Sequence, residues 1–470
     1  MRKKHYHFSG ICGTAMASLA VLLKNRGNKV TGSDENAYPP MSDFLADNGI
    51  EILTPYRRNN LIPHPDVVVL GNALSRGNAE VEYALEAHLL YLSMAELIKE
   101  EFIRGNRSIV ICGTHGKTTT TSLAAHVLSA GNRPTGFLIG GIAENFGTSS
   151  KDVEKGERFV IEGDEYDTSL FDKRSKFFHY LPDIVVINNI EFDHADIFAS
   201  IDDIKRSFSL MLRQVPQNGL ILVNGDDPDA VEVARTGFSP VVTFGKSAGC
   251  DAVIADIRPT IGNLETSWTL DYRGERMHLK IPLAGEFNVF NASAATLLAL
   301  KENIPLDSIQ RALLRFKGVR RRLQQVSRSD AIRVFDDFAH HPTAVKATIG
   351  AVRQSWPHAN IHAIYEARSN TSVRRTHQDR MADAFRDADR ITFYKLHRGD
   401  SLQADNRLNL ERIVSELADR NKKASLVKSL ERIVEHAVAS ARPGDIVLVM
   451  SQGAFGGIQQ RIAEILDSHE

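Results

Sequence analysis

The segment Ser108-Ile-Val-Ile-Cys-Gly-Thr-His-Gly-Lys-Thr-Thr-Thr120 limits what this chain can fold into more than any other. A short β-branched run passes through a glycine turn directly into a helix-period stretch over residues 119–129, which is the pattern of a strand feeding a helix. A buried strand that hands over to a helix belongs to a parallel sheet, because parallel neighbours need a crossover to return the chain. The turn aims backbone N–H groups and a helix N-terminus at one point, the parts of a phosphate cradle. There Lys117 supplies a point charge and Thr118 a hydroxyl suited to Mg²⁺. The strict G-x-x-x-x-G-K-[ST] spacing is not kept: Ile111 stands at the first glycine position, and the loop is two residues tighter, from Gly113 to Gly116. The competing reading is a structural turn beside a surface lysine.

The same alternation runs through all 470 residues, and at roughly 150 residues per domain that length implies three domains. The expected class is α/β. A Rossmann-like unit is expected over residues 1–106, with strands at 6–9, 29–32 and 67–70. A central parallel sheet of the P-loop ATPase type follows over 107–318, with strands at 108–111, 159–161, 184–187 and 220–223 and a β-rich stretch near 240–283. A second Rossmann-like unit is expected over 319–470, with strands at 332–335, 361–365, 390–393 and 446–450. Lys and Arg total 57 against 58 Asp and Glu, so net charge provides no bulk attraction to nucleic acid or anionic membrane. The apolar runs are of strand length, far below the roughly 20 residues of a membrane span. The three cysteines, Cys12, Cys112 and Cys250, have neither metal-ligand spacing nor an even count, which points to a reducing, cytoplasmic setting. Nothing in the sequence specifies an oligomeric state.

A phosphate loop needs a metal, so acids are sought at neighbouring strand ends. Glu162-Gly-Asp-Glu165 and Asn189-Ile-Glu-Phe-Asp-His194 both qualify, and each also reads as a polar strand-to-helix turn. A second glycine turn, Gly10-Ile-Cys-Gly-Thr14, is followed after the next strand by Gly32-Ser-Asp34. Cys12 and Ala15 break the G-x-G-x-x-G pattern of a nicotinamide dinucleotide site, leaving either another diphosphate or a tight structural turn. In the third unit, Asp336-Asp-Phe-Ala-His-His-Pro342 and Glu366-Ala-Arg-Ser-Asn370 follow strands, as turns capped by Asp or Asn or as substrate contacts.

Together these residues resemble the Mur ligases, ATP-dependent amide-forming enzymes of peptidoglycan synthesis, over essentially the whole chain. The loop at residues 113–119 resembles that family's shortened phosphate loop, and Asn189 to His194 its N-x-x-x-D-H element. Gly285-Glu-Phe-Asn288-Val-Phe-Asn291 resembles its adenine-proximal segment, Arg320-Arg-Arg322 its hinge arginine, and residues 336–342 its ribose and γ-phosphate loop. The resemblance implies that ATP is held by Gly113, Thr114, His115, Gly116, Lys117, Thr118, Thr119, Asn288, Asn291, Arg321, Asp337 and His341. It implies Mg²⁺ at Thr118, Glu162 and His194, and catalytic roles for Lys117, Glu162 and His194. The first turn resembles the subgroup that accepts UDP-N-acetylmuramate, implying contacts from Gly10, Cys12, Gly13, Thr14, Ser33, Asp34 and Asn72.

Within that subgroup the turn at Gly10, the 32-residue separation from Glu162 to His194 and the segments 366–371 and 451–457 resemble the member that adds the tripeptide L-alanyl-γ-D-glutamyl-meso-diaminopimelate. Arg368, Asn370 and the charged stretch 172–176 are then expected to face the acceptor peptide. The alternatives are the member that adds L-alanine and, from a different class, a nucleotide-binding regulator that hydrolyses ATP without ligation. Ala367 replaces an expected proline, and Ser209 stands where other family members carry a carbamylated lysine.

Overall fold

The computed structural model describes residues 3–37, 41–396 and 406–468, which build three sheets in chain order. Strands β1 (His5–Ser9), β2 (Lys29–Ser33), β3 (Ile52–Leu53), β4 (Val67–Leu70) and β5 (Tyr91–Ser93) form an all-parallel sheet in the order β3-β2-β1-β4-β5. The second sheet has ten strands: β6 (Arg107–Cys112), β7 (Thr135–Ala143), β8 (Thr148–Lys151), β9 (Arg158–Glu162), β10 (Ile184–Ile187), β11 (Leu220–Asn224), β12 (Val241–Gly245), β13 (Ala252–Pro259), β14 (Thr266–Tyr272) and β15 (Glu275–Ile281). Their order is β15-β14-β13-β12-β11-β10-β6-β9-β7-β8, parallel from β13 to β7 with antiparallel strands at both ends. The third sheet comprises β16 (Gln324–Gln325), β17 (Arg333–Asp337), β18 (Ile361–Glu366), β19 (Arg390–Tyr394), β20 (Lys423–Val427) and β21 (Ile446–Ser451), ordered β16-β17-β21-β18-β19-β20.

The apolar runs are continuous because these sheets are covered on both faces. In β6, Ile109 and Ile111 enter one buried cluster while Val110 and Cys112 enter another on the opposite face. The second of these clusters continues into the first unit through residues such as Phe102, whose ring lies 6.0 Å from that of Phe159. Arg26 donates twice to Asp152 at 2.6 Å, adding a bidentate ion pair to that seam.

Two departures from the sequence reading concern the site. The helix after the phosphate loop runs from Lys117 to Leu128, beginning two residues and ending one residue earlier than its apolar period suggested. Its start carries four threonines whose low helix propensity is overridden by burial of the whole stretch. Strand β7 was not foreseen because its three glycines, Gly136, Gly140 and Gly141, hide the β-branched pattern. Among the described residues, no helix is long and apolar enough to cross a membrane.

Candidate active site

The switch points of the first two sheets carry the two glycine turns. In the second sheet β6 lies between β9 and β10, and the register pairs Ile111 with Glu162 and Cys112 with Ile187. Three strands therefore end at one level around the turn, the crevice in which open α/β sheets bind ligands. Gly113 and Gly116 have φ values of 130° and 81°, and a Cβ on Gly116 would stand 2.6 Å from Asn291 Oδ1, so neither position accepts a side chain. The helix Lys117–Leu128 has no side-chain cap and no acidic residue in its first turn, which leaves its N-terminal partial charge without a protein anion.

Lys117 Nζ donates to Gly113 O at 2.6 Å and to Glu165 Oε1 at 2.8 Å. His194 Nε2 lies 3.1 Å from the same Glu165 oxygen. Burial opposes charge on all three groups, but their mutual attraction outweighs it: the Lys117 and His194 pKa values rise and that of Glu165 falls. Glu165 Oε2 is buried with no hydrogen-bond partner in the described structure. Glu162 accepts from Gly140 N at 2.5 Å and Thr118 Oγ1 at 3.3 Å, and burial raises its pKa. The oxygens of Thr118 and Glu162, 3.3 Å apart, suit a hard divalent cation. His194 offers nitrogen and is already paired with Glu165, so it fits such an ion less well.

Several residues expected at the nucleotide also brace the loop. Thr114 Oγ1 donates to Glu191 O at 3.0 Å, and the backbone N–H groups of Thr114 and His115 bind Asn189 at 3.1 and 2.8 Å. Asn288, Asn291, Thr120 and Asn188 form a buried hydrogen-bonded series beneath Gly116, although Asn288 and Asn291 also line the cavity, as does Thr119. Arg321 turns away from the cavity: its guanidinium donates to the carbonyls of Ser451 and Gly453 at 2.6 and 2.5 Å. Arg322 reaches the phosphate-loop helix, with Nη2 3.1 Å from Thr118 Oγ1. The backbone at Arg321 has φ 61°, and this reversal sends the two arginines apart. Asp337, nearly buried, accepts from Leu323 N and Ala339 N. His341 caps the helix Pro342–Ser355.

The first turn is more nearly self-contained. Gly10, at φ 85°, and Ile11 donate to Ser33 O, and Cys12 N donates to Asp34 Oδ2 at 2.9 Å. The Ser33 hydroxyl is fully buried and donates to Glu80 Oε2 at 2.6 Å. Gly13 precedes the helix Thr14–Asn25, which also has no side-chain cap and no acidic residue in its first turn. Asn72 reaches across to Asp167, and Asn370 to Asp196 at 2.9 Å. Arg368 lies over Gly453, beside Glu366. In the charged stretch, Arg174 is engaged by Asp172, and Lys176 by Asp164.

A cavity of about 730 Å³ joins these parts, lined by Ala15 and Met94 from the first unit, Lys117 and Glu162 from the second, and Arg322 and Asp337 from the third. The sequence reading did not single out Glu165, Glu191 and Arg322, which contact Lys117, His115 and Thr118 respectively. The acid-rich strand ends gave a signal for Glu165 and Glu191, whereas Arg322 depended on a turn that the sequence did not show.

Three family models match consecutive parts of the chain: "Mur ligase family, catalytic domain" over residues 5–104, "Mur ligase middle domain" over 111–299, and "Mur ligase, glutamate ligase domain" over 321–453. The UDP-N-acetylmuramate–L-alanyl-γ-D-glutamyl-meso-2,6-diaminoheptandioate ligase of Haemophilus influenzae is 40% identical, with 98% of this chain and 99% of that protein covered. The chain belongs to the Mur ligase family. It is a ligase, as the motifs implied. The Escherichia coli K12 protein of the same name is 36% identical over 97% of both chains. Among solved structures, a murein peptide ligase from Psychrobacter arcticus aligns with this Mur ligase at a TM-score of 0.72 and 32% identity, covering 99% of each chain.

Proposed function

We propose that this Mur ligase joins the tripeptide L-alanyl-γ-D-glutamyl-meso-diaminopimelate to the lactyl carboxylate of UDP-N-acetylmuramate at the expense of ATP, in murein recycling in the cytoplasm. The two relatives named for that reaction support the substrates. The observation that carries the reading is the cavity shared by three units around Lys117, Glu162 and Arg322. In this scheme the segments 1–106, 107–318 and 319–470 serve the UDP-sugar, ATP and the peptide respectively.

A carboxylate and an amine do not condense usefully in water, so the carboxylate attacks the γ-phosphorus of ATP, releasing ADP and leaving an acyl phosphate. The tripeptide α-amine then attacks the acyl carbon and phosphate departs. Both partners in the first step are anions. Lys117 exchanges Glu165 for the β- and γ-phosphates, Arg322 adds charge beside Thr118, and the uncapped helix N-terminus receives the phosphate oxygens. Thr118 and Glu162 would hold Mg²⁺, with His194 at the edge of its site; the ion supplies charge screening between the reacting anions. Gly10, Cys12, Gly13, Thr14 and Asp34 frame the UDP-sugar. Arg368, with five donors in a planar fork, suits a peptide carboxylate.

Phosphate release in the presence of ATP, Mg²⁺ and UDP-N-acetylmuramate is expected to be faster with tripeptide than with L-alanine. Faster turnover with L-alanine would transfer the assignment to the alanine-adding reaction, the named activity of a Geotalea uraniireducens relative 32% identical over 98% of this chain. ATP hydrolysis indifferent to any UDP-sugar would instead indicate a regulator.

A further inference from the structure

His115 of the phosphate loop, Glu191 beyond β10 and His341 of the third unit converge, with one ligand atom from each lying within 4.8 Å of the others. His115 Nε2 is 3.0 Å and His341 Nδ1 3.7 Å from Glu191 Oε2. Around a tetrahedral ion with bonds of about 2.0–2.1 Å, ligand atoms stand about 3.3 Å apart, so small side-chain adjustments close this triangle on one ion. The other Glu191 oxygen is fixed by Arg380 Nη2 at 2.6 Å and Thr343 Oγ1 at 2.9 Å. Those two donors orient the carboxylate and turn Oε2 toward the imidazoles, as outer partners do in metal sites.

His341 supplies a second observation. It is 2% exposed, and its Nε2 has no hydrogen-bond partner. Its Nδ1 accepts from Thr343 N in a long cap bond of 3.3 Å, which ligation of an ion at that nitrogen would replace. His377, its ring 4.4 Å from that of His341, likewise has a buried Nε2 without a partner.

We propose that His115, Glu191 and His341 form a site for a borderline transition ion of the Zn²⁺ class, which clasps the central unit to the third. Two imidazoles and one carboxylate favour Zn²⁺ or Co²⁺ over Mg²⁺, which prefers oxygen. The site shares no side chain with the Lys117, Glu165 and His194 cluster.

The test uses full-length protein freed of metal and nucleotide, titrated with Zn²⁺ against a chromophoric chelator in excess Mg²⁺. The expected result is one saturable Zn²⁺ per chain, a tetrahedral-type visible spectrum with Co²⁺, and affinity weakened roughly 10-fold or more in His115→Gln and His341→Ala. Thermal melting of each variant checks its fold. His115→Gln, on the partly exposed loop, carries the test alone if His341→Ala does not fold. Absence of saturable binding, or equal Zn²⁺ affinity in wild type and folded variants, overturns the proposal.

Discussion

The turns at Gly10 and Gly113 share a local plan. Each follows a strand flanked on both sides by parallel neighbours, begins with a glycine at positive φ and opens a 12-residue helix with no side-chain cap. They differ in what neighbouring strands deliver. Around the first, Ser33 and Asp34 of the adjoining strand end bind the turn's own N–H groups. Around the second, β9 and β10 lead into Glu162, Glu165 and His194, and a lysine begins the helix. The shape of a glycine turn thus reports an anion-friendly geometry, while the adjacent strand ends decide whether that geometry binds or reacts.

Removing the lysine breaks the comparison most severely. Lys117→Met is expected to lower kcat on the order of 10³-fold, read as phosphate release, while no single side-chain removal in residues 10–14 lowers kcat comparably. Next come the glycines. Gly116→Ala combines a strained φ with the contact to Asn291 and is expected to weaken ATP binding roughly 30-fold, or about 2 kcal/mol. Gly13→Ala, at φ −62° with its nearest neighbour 3.6 Å away, is expected to leave the melting temperature unchanged; isothermal titration and thermal melting measure the pair.

Asp34→Ala, which removes the acceptor of the Cys12 and Asn36 N–H groups, is expected to cost about 1 kcal/mol, seen as a rise of roughly fivefold in KM for the UDP-sugar with KM for ATP unmoved. The smallest effect concerns pH. Because the folded His194 pKa is raised above its ordinary value of 6.5, its pairing with Glu165 stabilises the nucleotide-free protein fully below pH 6.5. That stabilisation is lost as pH rises through the folded value. Melting temperatures across this window should show the loss in wild type and a flatter profile in Glu165→Gln, whereas the first turn contributes no such dependence.

The fold was legible wherever β-branched runs met glycine turns, because strand period and helix period are properties of contiguous residues. That Lys117, Thr118 and Glu162 meet at one end of the sheet was legible for the same reason. What was not legible depends on pieces distant in sequence. Arg321 and Arg322 are chemically identical, and only the left-handed backbone at Arg321 selects which reaches Thr118, 204 residues earlier. Ser33 ends its strand as a ligand contact would, but Glu80, 47 residues later, claims its hydroxyl. A motif names the residues at a strand end; long-range packing assigns each a direction.

Each sheet is drawn from its own uninterrupted stretch of chain, residues 5–93, 107–281 and 324–451. During synthesis, the first two sheets can therefore complete their pairings before the third has left the ribosome. The bonds from Arg322 to Thr118 and from Arg380 to Glu191 close only at the end. A nascent chain folds early yet gains its chemistry late, so an unfinished product holds a formed phosphate loop without the groups that would turn it to ligation.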